Sequence, residues 1–239
     1  MPKISVVIPS HNRLSSSKQA TGDFVAFLDD DLFLPNKISC LKSVLKNEDR
    51  DLITSFATVD IAGRYQYTIR PNKAATYEKQ LIRNLVGTTS MVTVRKSAFL
   101  DSGMFNESMP ARQDYEAWLR MLKNHASYYC IPKKLVTINS NFQKKSVSRS
   151  IENNLKGIEL IEQEYREDID NLNWLEKRTR AAALDEFVAH KYLITGDNFK
   201  AAKYFFSSYK RNKNIKIMMA TLLSLFGRNC FLVYFKLYK

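Results

Sequence analysis

GDFVAFLDDDLFLPNKI, Gly22 to Ile38, is the stretch from which the fold of this chain is read. Phe24 to Leu28 is short and almost wholly apolar, the composition of a strand buried on both faces of a parallel sheet. It stops at Asp29, Asp30 and Asp31. Three consecutive carboxylates at the end of a buried strand repel one another and resist desolvation, and a bound cation removes both penalties. If the chain stays extended, Asp29 and Asp31 point the same way and Asp30 the opposite way. Two hard oxygen donors then converge at the carboxyl end of a strand, where open α/β sheets place their ligands. Oxygen-only ligation favours Mg²⁺ or Mn²⁺ over zinc, with phosphate groups completing the shell. The plain alternative is a solvated acidic turn. Pro35 and Asn36 restart the chain, and Ile38, Leu41 and Leu45 begin a helical pattern.

Upstream, Ile4 to Ile8 (ISVVI) reads as another buried strand, closed by Pro9 and a polar cluster of Ser10, His11, Asn12 and Arg13. Downstream, Asp51–Ala57 reads as a strand and Thr58–Arg70 as a hairpin around Ala62-Gly63, with Tyr65, Tyr67 and Ile69 alternating. Tyr77–Leu85 is helical in pattern, and Gly87-Thr88-Thr89-Ser90 leads into a short strand at Met91–Val94. In MPARQDYEAWLRML, a helix is expected from about Arg112, with Asp114 and Trp118 on one face and Tyr115, Leu119 and Leu122 packing. A carboxylate in a first turn is favoured by the helix dipole, which by itself accounts for Asp114. Ser127–Ile131 and Val136–Asn139 read as two further strands.

These residues resemble the family 2 glycosyltransferases of GT-A fold. ISVVIPSHNR, followed by ATGDFVAFLDDD and PNKI, is similar to the family's opening strand, its PxYN-like turn and its DxD motif. RQDYEAWLR is similar to the (E/Q)D motif that carries the general base. The fold implied is α/β, a GT-A-like (Rossmann-like) mixed sheet with flanking helices, plus a C-terminal helical extension. The activity implied is inverting transfer of a sugar from a nucleotide diphosphate, UDP above all, to a hydroxyl acceptor in glycan synthesis. On that resemblance Asp29 and Asp31 would hold Mn²⁺ or Mg²⁺. Pro9, Ser10, His11, Arg13, Asp29 and Asp30 would border the nucleotide sugar. Asp114 would be the base, with Glu116 second in line, and Gln113 and Trp118 would line the acceptor side.

The chain departs from the pattern in two places. Only LSSSKQ, Leu14 to Gln19, separates the first two motifs. At about 30 residues per strand–helix–strand unit, roughly 60 residues carrying a base-contacting aspartate are missing there. Their strands belong beside the first strand, so their loss should leave that strand on an edge and weaken the nucleotide pocket. The loop after Val136–Asn139 also lacks the family's Arg-x-His pair, leaving Lys144 and Lys145 as point charges for phosphate. An inactive relative acting as a membrane-bound partner of a complete transferase is therefore kept as an alternative. A metal-dependent phosphohydrolase using the acidic triplet is a third reading, without a second metal cluster to support it.

Residues 1–150 are assigned to the transferase-like domain and 151–239 to a helical, basic region. Of the net charge of +13, the segment Asn198–Lys239 supplies nine Lys or Arg and no acid. It interleaves them with apolar runs at Ile217–Leu223 and Phe231–Phe235, which suits an anionic membrane surface better than nucleic acid. No apolar stretch reaches the ~18 residues of a spanning helix. Cys40, Cys130 and Cys230 lack metal-ligand spacing and point to a reducing compartment. The expected location is cytoplasmic, peripheral on the inner membrane face, near a glycan or lipid-linked acceptor. TGDNFKAAKYFF reads as the turn and second helix of a helical hairpin.

Overall fold

The structure, a computed structural model, describes residues 2–8, 18–61, 63, 65–140 and 150–227. They fall into two compact units, one of residues 1–80, 84–108 and 113–141 and one of 81–83, 109–112 and 142–239, within those described limits.

Among the described residues, the first unit is built on a sheet of seven strands. In chain order its elements are β1 (Ile4–Val7), β2 (Phe24–Phe27), β3 (Leu32–Phe33), α1 (Lys37–Asn47), β4 (Leu52–Ile61), β5 (Tyr65–Ile69), α2 (Tyr77–Ile82), β6 (Thr93–Arg95), α3 (Lys96–Asp101), α4 (Gln113–Lys123) and β7 (Tyr128–Ser140). The order across the sheet is β1-β2-β6-β4-β7-β3, with β5 paired to β4. β1–β2 and β4–β7 are parallel, while β2–β6, β6–β4, β7–β3 and β4–β5 are antiparallel. This is the mixed sheet with flanking helices that the sequence leads one to expect.

All four residues of β2 are buried, and the strand's two-residue period explains why. Val25 and Phe27 enter one core with Leu52, Val94, Phe99, Phe105 and Trp118. Phe24 and Ala26 enter the other with Leu41, Ile53, Ile131 and Leu135. Among the described residues β1 lies at the sheet's edge, with Val6 45% exposed. Gly22 sets the β1–β2 approach: a Cβ there would lie 2.7 Å from the Ser5 nitrogen and 2.8 Å from the Lys3 oxygen. The Gly22 amide donates to Ser5 Oγ at 2.9 Å.

The β4–β5 hairpin turns as expected, with Ile61 opposite Tyr65 and Gly63 at φ 69°. Two expectations fail. Ser127–Ile131 and Val136–Asn139 are one long strand, β7, whose register against β4 jumps from Ile131 to Lys134. Pro132, lacking an N–H, sits in that bulge, where a missing ladder donor is tolerated. Nor does the extended geometry persist through the acidic triplet: the Asp31 amide donates to the Asp29 carbonyl at 2.7 Å, closing a tight turn.

The second unit is helical: α5 (Ile151–Glu164), α6 (Arg166–Asp170), α7 (Trp174–Thr195), α8 (Asn198–Asn212) and α9 (Ile215–Leu225). Asn173 and Glu176 form a reciprocal capping box on α7, and Gly196 ends that helix at φ 90°. Asp197 then caps α8 by accepting from the Lys200 amide at 3.0 Å. Ala189, Leu193, Ala201, Phe205 and Ala220 make the core of this α7–α8–α9 bundle. His190 stacks edge-on against Phe205 at 5.1 Å.

Candidate active site

The acidic turn is built at the carboxyl end of β2, two residues beyond Phe27. Asp29 and Asp30 are exposed and Asp31 is half-buried. The turn is braced from two sides. Ser90, 1% exposed, accepts the Asp29 amide on its Oγ at 3.0 Å and hydrogen-bonds the Asp31 carboxylate. From β7, the Asn139 amide donates to Asp31 Oδ1 at 3.2 Å. Burial, joined by repulsion from Asp29 and Asp30, still leaves the Asp31 carboxyl above its ordinary range, although the Ser90 and Asn139 hydrogen bonds pull it down.

Ser90 is itself held from beneath. It belongs to a 3₁₀ turn, Thr89–Met91. The Lys37 ammonium, on a side chain 1% exposed, donates to the Ser90 and Met91 carbonyls at 3.3 and 3.4 Å. It also lies 4.6 Å over the Phe33 ring. Burial pushes this amine down to about 7. Sequence reasoning missed this brace. The signals were the small-residue run before Met91 and the lysine after Asn36, but nothing local couples positions 53 residues apart.

Asp114 and Gln113 open α4 and are half-buried. The Tyr115 amide donates to Asp114 Oδ1 at 2.8 Å, a contact within the first turn of the helix. The Tyr115 hydroxyl donates to the Gln80 carbonyl at 2.7 Å and fixes this end of the helix. One turn further on, the Trp118 ring lies 6.0 Å from that of Phe27. Asp114 and the acidic turn are thus tied, by one helical turn and by two residues respectively, to a single ring contact.

Trp118 does not line an acceptor surface. It is completely buried, with Phe27, Phe99 and Phe105 around it at centroid separations of 5.7 to 6.3 Å. Both ring faces belong to the core, and none is left for a sugar. Glu116 is also taken: 4% exposed, it forms a two-pronged pair with Arg120 at 2.8 and 2.9 Å. Pro9, Ser10, His11, Arg13, Lys144 and Lys145 lie outside the described residues.

The donor set is all oxygen, which fits Mg²⁺ or Mn²⁺. Among the described residues no group of three or more His, Cys, Asp or Glu side chains is gathered closely enough to hold an ion. A cation at Asp29 and Asp31 would therefore need oxygens from a bound phosphate and water, the usual habit of Mg²⁺. Among the described residues, no helix is long and apolar enough to cross a membrane.

No protein-family model matches the chain. It is 26% identical over 223 residues to an uncharacterised glycosyltransferase of Haemophilus influenzae, covering 90% of this chain and 74% of the relative. It is 29% identical over 144 residues to an uncharacterised glycosyltransferase of Rickettsia bellii, covering 56% of this chain but 20% of that longer protein. Among solved structures, S. aureus TarS 1-349 in complex with UDP-GlcNAc superposes with a TM-score of 0.54 at 15% identity, over 95% of this chain and 70% of that one. The same protein in complex with UDP gives 0.52 at 15% identity, over 94% and 68%. These likenesses establish a GT-A-like fold.

Proposed function

We propose that this chain is a metal-assisted, inverting glycosyltransferase of the family 2 kind, moving a sugar from a UDP-sugar to a hydroxyl of a cell-surface glycan or lipid-linked acceptor. The observation that carries this is the acidic turn at the carboxyl end of β2, braced by Ser90 and Asn139 and tied to the α4 start through Phe27 and Trp118. Relatives named as glycosyltransferases and the likeness to a UDP-GlcNAc complex support it.

Asp29 and Asp31 would hold Mn²⁺ or Mg²⁺ together with the donor's diphosphate oxygens. When bound, such an ion supplies neutralisation of the charge that develops on the departing diphosphate. Asp114 accepts the proton of the acceptor hydroxyl as that oxygen bonds to the anomeric carbon and the bond from that carbon to the diphosphate oxygen breaks. Attack opposite the leaving group inverts the anomeric centre. Gln113 borders the acceptor. The basic C-terminal segment holds the enzyme peripherally at an anionic membrane face.

The edge position of β1 favours a second reading, an inactive partner of a complete transferase. Calorimetric titration with UDP and Mn²⁺ separates the two. The enzyme reading expects saturable UDP binding that needs the metal and falls at least tenfold in Asp31→Asn. Absence of UDP binding at millimolar concentration defeats it and leaves the scaffold.

A further inference from the structure

Within the helical unit, α7 and α8 enclose a groove of about 670 Å³. Its walls carry Trp174, Lys177, Arg178, Lys210 and Arg211. The spacing explains the cluster: Trp174, Lys177 and Arg178 stand at i, i+3 and i+4 on α7, and Ser207, Lys210 and Arg211 repeat that interval on α8. Among the described residues, the cations of this groove have one carboxylate partner, Asp185, which holds Arg211 at 3.0 Å. Lys177 donates to the Asp170 carbonyl at 2.7 Å, and Arg178 to the Arg211 carbonyl. Backbone oxygens thus orient these side chains without cancelling their charge. Trp174 is 70% exposed, with the Arg178 guanidinium 5.1 Å from its ring centre.

We infer that this groove binds an acidic oligosaccharide, a chain of sugar units bearing phosphate or carboxylate. The cations select the anion, bidentately where Arg takes part. The exposed indole supplies the apolar surface that a sugar ring covers. The volume lies in the range of small-ligand sites. Single-stranded nucleic acid is favoured less, because it is held by successive aromatic platforms, and this groove has one aromatic. A bilayer is favoured less, because the cations and the single aromatic line a groove rather than a continuous apolar stripe that could lie in an interface. That the bound glycan is the acceptor rests on the glycosyl-transfer reading; the binding itself does not.

The chain's two tryptophans make the test direct, since Trp118 is fully buried and Trp174 is not. The full chain is titrated with polygalacturonate, phosphorylated dextran and neutral dextran, following tryptophan emission and its protection from acrylamide. The expected result is a saturable, salt-sensitive response to the two acidic polymers alone. Lys177→Glu with Lys210→Glu should weaken it about tenfold or more, with unchanged helical circular dichroism. If that pair unfolds the bundle, Lys210→Gln should still weaken binding about threefold. An equal response to neutral dextran, indifference to the charge changes, tighter binding of oligouridylate RNA, or binding of phosphatidylglycerol vesicles that is tighter and is lost with the same charge reversals overturns the inference. UDP–Mn²⁺ binding is measured on the same samples. Its loss with glycan binding intact defeats the transferase reading, and the reverse defeats only the groove.

Discussion

Replacing Lys37 by Met tests the brace beneath the acidic turn. An unfolded lysine titrates at 10.5, and burial holds this one at about 7. Between those values the unfolded chain binds the extra proton, so stability rises with pH across the window. Below 7 the penalty is fully present, roughly 5 kcal/mol at 1.36 kcal/mol per pH unit. The Phe33 ring, 4.6 Å away, favours the charged form and brings the figure toward about 3 kcal/mol. Met removes this penalty and also deprives the Ser90 and Met91 carbonyls of their donor, at about 1–3 kcal/mol. Near pH 6 the variant should therefore match or exceed the wild type. Near pH 10 it should be the weaker by about 1–3 kcal/mol. Denaturant unfolding of both proteins from pH 6 to 10 checks this, because other titrating groups cancel in the difference. Parallel curves across the whole range would refute the reasoning.

Three further outcomes follow from the same contacts. Trp118→Ala should destabilise by about 3–5 kcal/mol, read as a lowered unfolding midpoint, since it empties the space among three phenylalanines. Gly22→Ala should cost about 1–3 kcal/mol, because its Cβ meets the β1 backbone; an unchanged melting temperature would contradict the close approach. Burial opposes ionisation of Asp51, but the Ser127 hydroxyl and amide and Arg95 outweigh it and hold the carboxyl below its ordinary 3.8. Its contribution is present above that value and is lost as pH falls through the lower folded one. Asp51→Asn should accordingly cost about 1 kcal/mol at pH 7, allowing for solvent screening, with the difference shrinking as the pH falls below the ordinary carboxylate range.

The parts legible in the sequence were those in which local pattern and burial agree. FVAF is buried on both faces because it is apolar at every position, and Gly196-Asp197 stops one helix and caps the next. The orientation of Trp118 was not legible because α4 is buried nearly all round, with Tyr115, Ala117, Leu119, Met121 and Leu122 also inside. The buried side is wide enough to take in position 118, one turn beyond the half-buried Asp114. Within the candidate site, Asp29, Asp31 and Asp114 stood out as residues. The Ser90 and Lys37 brace did not, being made of contacts 61 and 53 residues apart in the chain.

The central claim is a division of labour between the carboxylates at the β2 end and the one that opens α4. It is tested most directly by comparing wild type with Asp114→Asn for both UDP–Mn²⁺ affinity and sugar-transfer rate at saturating UDP-sugar and acceptor. The account predicts affinity within about twofold and a rate reduced at least 100-fold, the usual worth of a general base. Transfer by Asp114→Asn at the wild-type rate would contradict it.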